Sequence, residues 1–274
     1  MNGAVGIWTA QNDIDAATNP AVRKPAIRVS PGGEVQVDVQ AVTNSLIFGN
    51  LISRAYPEWV ERVLALAMAA HARIAEQQIL TQIGALSTAV SGTATEGQTN
   101  GAKPVGATRI LLPLLERAAT GTRNRLRMPA DAPLQLIVPD WSRGLLRSDL
   151  ALQEPGDAKL GVTDAELTTY LATRNLSPTW AMDGEAGQQF NPQAPGPVNT
   201  WPTSVVSYLF PAGAWHFMDG DTLDLGIIRD ATLTAANDSM MFSETFEAVL
   251  FRGGESLRIN QAVAPSGIAQ AALA

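Results

Sequence analysis

The 274 residues carry a net charge of −7, 46% apolar and 16% charged residues, and no cysteine. The length allows a real core, since folded chains of this size hide roughly 70–75% of their unfolded surface, while the acidic balance argues against a protein whose main task is to grip phosphates. The missing cysteines remove disulfide frameworks, thiolate metal sites and cysteine nucleophiles together.

The start, Met1-Asn-Gly-Ala-Val-Gly, lacks the basic region and apolar core of a signal peptide. From Gly6 to Val42 the pattern is extended. Asn12 to Pro25 is polar and turn-rich, and Val35, Val37 and Val39 alternate with Glu34, Gln36 and Asp38 as in a half-buried strand. Together they predict a long hairpin with few core residues of its own, which needs support from elsewhere.

Pro57 suits the first position of a helix, and Glu58 and Glu61 suit its positive end. Trp59, Val63, Ala67, Ala70 and Ile74 trace one face, and the pattern runs to about Ile83. The apolar run within it, Val63 to Ala70, falls far short of the ~20 residues that span a bilayer. Residues 84 to 104 read as a surface loop. A second helix starts at Pro113 or is kinked by it and runs to about Met128. It carries Arg109, Arg117, Arg123, Arg125 and Arg127, which read as a solvated or subunit-contacting face ahead of a nucleic-acid site.

Leu134 to Val138 reads as a short buried strand, followed by amphipathic helices near 141 to 151 and 163 to 174. Residues 183 to 202, rich in Gly and Pro, form a long loop. Thr203 to Pro211 returns to strand, and Leu223, Leu225 and Ile227 alternate across another. Phe242 to Phe251 and Ser256 to Val263 read as a hairpin joined through Arg252-Gly-Gly-Glu255, although Ser243 to Phe251 also fits a helix. The class is α+β, with a loosely held apolar tail after Pro265.

Catalytic signatures are missing: no Gly-x-Ser-x-Gly elbow, no Walker-type loop, no Gly-x-Gly-x-x-Gly. The two histidines, His71 and His216, read as satisfied structural residues. Asp219, Asp221 and Asp224 invite a calcium site but lack the glycine and bidentate glutamate of an EF-hand loop.

Taken in order, Gly6-Ile-Trp8, Arg28-Val-Ser30, the Val35 strand, Glu76-Gln-Gln-Ile-Leu80 closing the long helix, Asp219 to Asp230, Asn237 to Glu247 and Gly253-Gly254 form a pattern. It resembles the major capsid proteins of tailed double-stranded-DNA bacteriophages, the Hong Kong 97-like fold. The resemblance implies an extended E-loop hairpin over 1–45, a peripheral domain over 46–130 with a spine helix, an axial domain over 131–202, and closing peripheral strands with the tail over 203–274. It implies a non-enzymatic subunit that assembles with itself into pentamers and hexamers, closing an icosahedral shell around DNA held non-specifically.

The same resemblance implies portal and scaffolding or decoration proteins as further partners, no cofactor, no metal and no membrane. The product would assemble in the host cytoplasm and reside in the virion capsid. The N-terminal arm usual in this family is expected to be missing or very short. Some relatives weld subunits by an isopeptide bond, and the matching residues are Lys24 as nucleophile, Asn237 as acceptor and Glu244 as proton acceptor. That chemistry needs an apolar pocket to depress the amine pKa; otherwise the three are a solvated charge, a turn residue and a strand-edge acid. Two rival readings remain: an encapsulin-like nanocompartment shell, and a metal-dependent enzyme using the acids of 219–230.

Overall fold

The computed structural model describes residues 5–28, 33–92, 107–153, 163–185, 202, 204–220 and 224–263. Expectations for 29–30, 93–104, 186–201, Asp221, Leu223 and the tail after Pro265 lie outside these residues. The chain divides into two units, Met1–Gln36 and Val37–Ala274.

In the first unit the polar stretch expected to be turns holds a helix, α1 (Ala10–Thr18). Thr9 starts it with a capping box: its hydroxyl accepts from the Asn12 N–H, and its own N–H donates to Asn12 Oδ1 at 2.8 Å. Trp8 Nε1–H donates to Asp13 Oδ1 at 2.7 Å, and the Lys24 ammonium lies 5.5 Å from the Trp8 ring centre. No residue of α1 is buried. The helix therefore rests on its cap and local polar bonds, which alone leave a nine-residue helix marginal.

The second unit contains β1 (Gln40–Gly49), α2 (Asn50–Ala55), α3 (Pro57–Leu86), β2 (Thr88–Gly92), α4 (Thr108–Arg125), β3 (Leu134–Pro139), α5 (Trp141–Gln153), α6 (Asp164–Ala172), β4 (Leu176–Ala181), β5 (Ser204–Pro211), β6 (Trp215–Asp219), β7 (Asp224–Ile228), α7 (Ala231–Ala236), β8 (Asp238–Phe251) and β9 (Leu257–Ala262). The strand expected around Val35 to Val39 begins only at Gln40, and Val35 and Val39 are exposed. Their alternation has no face to bury against within the described residues.

Sheet 1 is built on β8. β1 runs antiparallel along one side, from Gln40 opposite Glu247 to Gly49 opposite Asp238. β6 and β7 share the other side as two pieces of one outer strand. Where they join, the Gly220 N–H donates to the Phe246 carbonyl at 2.7 Å, and a Cβ at 220 would lie 2.9 Å from that oxygen. Only glycine permits so close an approach.

Sheet 2 has the order β2-β9-β5-β3-β4. Its central strand β5 is buried on both faces from Val205 to Phe210, as a near-continuous apolar strand should be. Val205 and Leu209 join the core beneath α4, α5 and α6. Val206, Tyr208 and Phe210 pack on the other face with Leu80 and Ile83 of α3.

Three expectations need correction. Residues 84 to 104 are not loop throughout, since β2 pairs with β9 from Thr88 to Gly92. The segments expected to form a hairpin are both strands, but β8 belongs to sheet 1 and β9 to sheet 2. Gly253 and Gly254, at φ +105° and +95°, carry a crossover between sheets. Finally, α4 starts at Thr108, five residues before Pro113; its first N–H donates to Asp149 Oδ2 of α5 at 2.8 Å, a carboxylate placed where the helix dipole favours it.

Candidate functional site

The long helix α3 is covered unevenly. Its buried residues are His71, Ala75, Leu80 and Ile83, none of them before the midpoint. The first half, from Pro57 to Ala70, buries no residue, and Trp59 and Leu66 stand 61% and 55% exposed. Beside it lies a groove of about 100 Å³ lined by Leu46, Ile47, Phe48, Trp59, Val60, Val63 and Leu64. Apolar surface of this kind, uncovered in a folded chain, marks an interaction site.

The second half of α3 is tied down by polar bonds at its contact with β8 and by the segment after β4. His71 Nε2 lies 3.0 Å from Thr245 Oγ1 and its Nδ1 3.3 Å from Ser243 Oγ, so both ring nitrogens have a hydroxyl partner. The structural role expected for this histidine fits. Arg73 forms a fork to Asp183, with both N–H···O distances 2.5 Å, and Glu76 accepts the Met182 N–H at 3.1 Å. Glu185 accepts from the Tyr208 hydroxyl at 2.6 Å and from Arg258 Nε–H at 2.7 Å. Burial raises the Glu185 carboxyl, but the Arg258 and Tyr208 hydrogen bonds outweigh it and the net pKa is lowered. Burial, reinforced by Glu185, drives the Tyr208 phenol well above its usual range. Sequence reasoning missed this anchorage, whose only signal is the pair of acids at the start of the soft loop.

Glu247 sits on the α3 side of β8, directly opposite Asp219 of β6. Its pKa is raised, first by burial and then by Asp219, with His71 pulling the other way, and its Oε2 is buried without a hydrogen-bond partner. Since folding raises this carboxyl above its unfolded value, the native state binds the extra proton in the window above the ordinary carboxylate range, and stability falls as pH rises through it. Glu247→Gln should therefore stabilise the unassembled chain at neutral pH and leave it unchanged at about pH 3, below both values. Urea denaturation at the two pH values checks this.

Two of the predicted reactive residues, Asn237 and Glu244, lie apart in the second unit. Lys24 is exposed beside Trp8 in the first unit. Asn237 caps α7 in the left-handed region at φ +57°, and Asn50 Nδ2 donates to its carbonyl at 2.8 Å. Glu244 lies in β8, opposite Thr43 and Asp224. An extended strand places Glu244 roughly 20 Å from Asn237 of the same chain. His216 is exposed and accepts from Arg252 at 2.7 Å.

Asp219 and Asp224 pair with Glu247 and Glu244, residues of opposite parity on β8, so they lie on opposite faces of sheet 1. Among the described residues no three His, Asp or Glu side chains come together as metal ligands. Of the basic residues assigned to a solvated face of α4, Arg109, Arg117, Arg125 and Arg127 are exposed, but Arg123 is buried. Its guanidinium donates to the carbonyls of Ala132, Arg174 and Asn175 at 2.8, 3.0 and 3.0 Å.

No protein-family model matches the sequence, and no curated protein matches it. Solved structures match in fold. The structure of Mycobacterium phage Bobi aligns with a TM-score of 0.52 at 11% identity, covering 96% of this chain and 82% of that one. That of Gordonia phage Cozz gives 0.50 at 12% identity, covering 87% and 79%. The head structure of Helicobacter pylori bacteriophage KHP40 gives 0.49 at 10% identity, covering 82% and 75%. The chain has the α+β, Hong Kong 97-like fold of tailed-phage major capsid proteins.

Proposed function

We propose that this chain is the shell-forming subunit of a tailed-phage capsid, a structural protein that assembles with itself into pentamers and hexamers around packaged double-stranded DNA. The observation that carries the reading is the first half of α3, which buries no residue and leaves Leu66 exposed and Trp59 exposed at an apolar groove, on a fold of the capsid type. Leaving such surface in water is unfavourable by roughly 25 cal/mol per Å², and rings of copies of one chain would bury it repeatedly.

In this reading residues 1–45 act as the E-loop laid on an adjacent subunit, 46–130 and 203–274 form the peripheral domain, and 131–202 form the axial domain. The net charge of −7 suits a wall that encloses DNA without gripping it. Portal and scaffolding or decoration proteins are the further partners, and the product belongs in the virion capsid after assembly in the host cytoplasm. A weld between copies would join Lys24 Nζ to the Asn237 side-chain carbonyl with loss of ammonia, Glu244 taking the proton. The separation of Asn237 from Glu244 requires those two residues to come from different copies.

Negative-stain electron microscopy with light scattering, over a range of concentration, salt and pH, tests the assembly. Closed shells or rings of five and six are expected, and a chain that stays monomeric throughout, even with its phage's scaffolding protein added, would overturn the reading. Denaturing electrophoresis of the shells reads the weld as a ladder of covalent multimers.

A further inference from the structure

A sheet edge presents unpaired N–H and C=O groups to any extended chain, and folded proteins blunt it with short strands, prolines, charges or breaks. Among the described residues three of the four edges are blunted in this way. β4 carries Pro178, β2 spans five residues, and the edge of sheet 1 opposite β1 is split into β6 and β7 and carries Asp219 and Asp224. β1 is ten residues long, with neither proline nor charge from Gln40 to Gly49, and no described strand pairs with its outer side. The apolar groove beside α3 runs along this edge. Leu46, Ile47 and Phe48 all line it, and consecutive strand residues point to opposite faces, so a groove touching all three follows the edge itself. An open strand edge on one wall and an apolar helix flank on the other fit an added strand.

Two features select β1 of a second copy as that strand. The first is spacing. α3 lies over both β1 and β8, since Gln78 and Gln82 donate to Gln40 of β1 and His71 meets Ser243 and Thr245 of β8. Its axis therefore stands about half a strand spacing inside β1. Joining β1 to β1 at the usual spacing of about 4.8 Å brings the two α3 helices to about 10 Å, where helices pack. The second is charge. Glu58 and Arg62 are exposed, and neither enters an ion pair among the described residues. α3 runs back along β1, which sets Val60 level with Ile47 at the groove; antiparallel helices crossing at Val60 bring Glu58 of each copy level with Arg62 of the other. We infer that two copies join β1 to β1, antiparallel about a two-fold axis at Ile47, with the first halves of α3 packed above the seam. The contact rests on the assembly reading above and assigns the junction between rings. A two-fold contact closes on itself and cannot run around five or six copies, so it ties a copy in one ring to a copy in the next.

The absence of native cysteine makes the axis testable. Opposite residues on antiparallel strands have Cα atoms roughly 4.5–5.5 Å apart, within disulfide reach, and on the axis Ile47 faces its own counterpart. Chains carrying Ile47→Cys as their single cysteine are assembled, mildly oxidised and run on a denaturing non-reducing gel. Leu225→Cys, at an exposed position on the far edge of sheet 1, is the control. Covalent dimer is expected from most of the Ile47→Cys chain and monomer from the control. Shells whose Ile47→Cys chains stay monomeric, or dimerise no better than the control, overturn the two-fold contact and leave the capsid reading standing. Glu58→Arg changes only an exposed side chain and is expected to raise the concentration needed for assembly several-fold at low salt, with Glu58→Arg plus Arg62→Glu restoring it. A double variant no better than the single one overturns the contact, and this pair decides should Ile47→Cys fail to assemble. A wild-type chain that never assembles overturns the capsid reading and this contact together.

Discussion

Trp59→Asp is expected to give a chain that folds as the wild type does and no longer assembles. Trp59 is 61% exposed, on the half of α3 that buries nothing. An acid there sits near the positive end of the helix, and surface changes of this kind alter stability by about 0.5 kcal/mol or less. In an assembled shell the same side chain would be covered as part of the groove wall it forms with Leu46, Ile47 and Phe48. Removing a buried tryptophan from an interface costs about 2 kcal/mol or more, which is about 30-fold in the dissociation constant of each contact. Every subunit repeats the loss, so closed shells should vanish at concentrations where wild type forms them. A thermal melt together with light scattering separates the two properties. Shells from the variant at the wild-type concentration would place this groove on the solvent side of the assembly.

Arg123→Ala is expected to destabilise the unassembled chain by roughly 3 kcal/mol, since three carbonyls lose a charged donor at once. For a domain this large that lowers Tm by roughly 6–12 °C. Those carbonyls belong to Ala132 ahead of β3 and to Arg174 and Asn175 after α6, so one guanidinium joins the end of α4 to the chain segments that lead into β3 and β4 of sheet 2. Nearby, Arg127 and Asn175 hold left-handed turns at φ +56° and +54°, which its bonds help to fix. Arg123→Lys should recover less than half of the loss, because a single ammonium cannot reproduce the planar fork. Thermal and urea denaturation measure both variants, and a loss below about 1 kcal/mol would mean that water replaces the guanidinium.

Arg123 also shows where the sequence is silent. An arginine two residues from the end of a helix looks like any surface cation, and only the return of the chain at 132 and 174 buries it. α3 was legible from Pro57 onward because propensity, the proline start with Glu58 in the first turn, and apolar spacing agree over 30 residues. β5 was legible as a near-continuous apolar run, broken only by Ser207. α1 was not, because it buries nothing and leaves no stripe to read; its one signature is the short Thr9–Asn12 cap.

β8 and β9 were legible as strands but not as members of different sheets. Two strong strands around Gly-Gly look like a hairpin, and the true partner of β8 along its whole first part is β1, almost two hundred residues away in sequence. Of the candidate surface, the apolar face of α3 could be read off the chain, but which half of it stays uncovered depends on where β8 and the segment after β4 settle. The anchoring carboxylates Asp183 and Glu185 find their partners only in three dimensions.

The crossover at Gly253 and Gly254 has a mechanical side. β8 ends at Phe251 and β9 begins at Leu257, and Glu255 between them is buried and gripped by Arg125 at 2.7 Å. A pull on the outer strand of sheet 1 thus travels along β8, through a short pinned link, into the strand next to the middle of sheet 2. The two sheets are links in series, and a shell built from such subunits would spread pressure from within along continuous backbone, leaving few side-chain contacts to bear it.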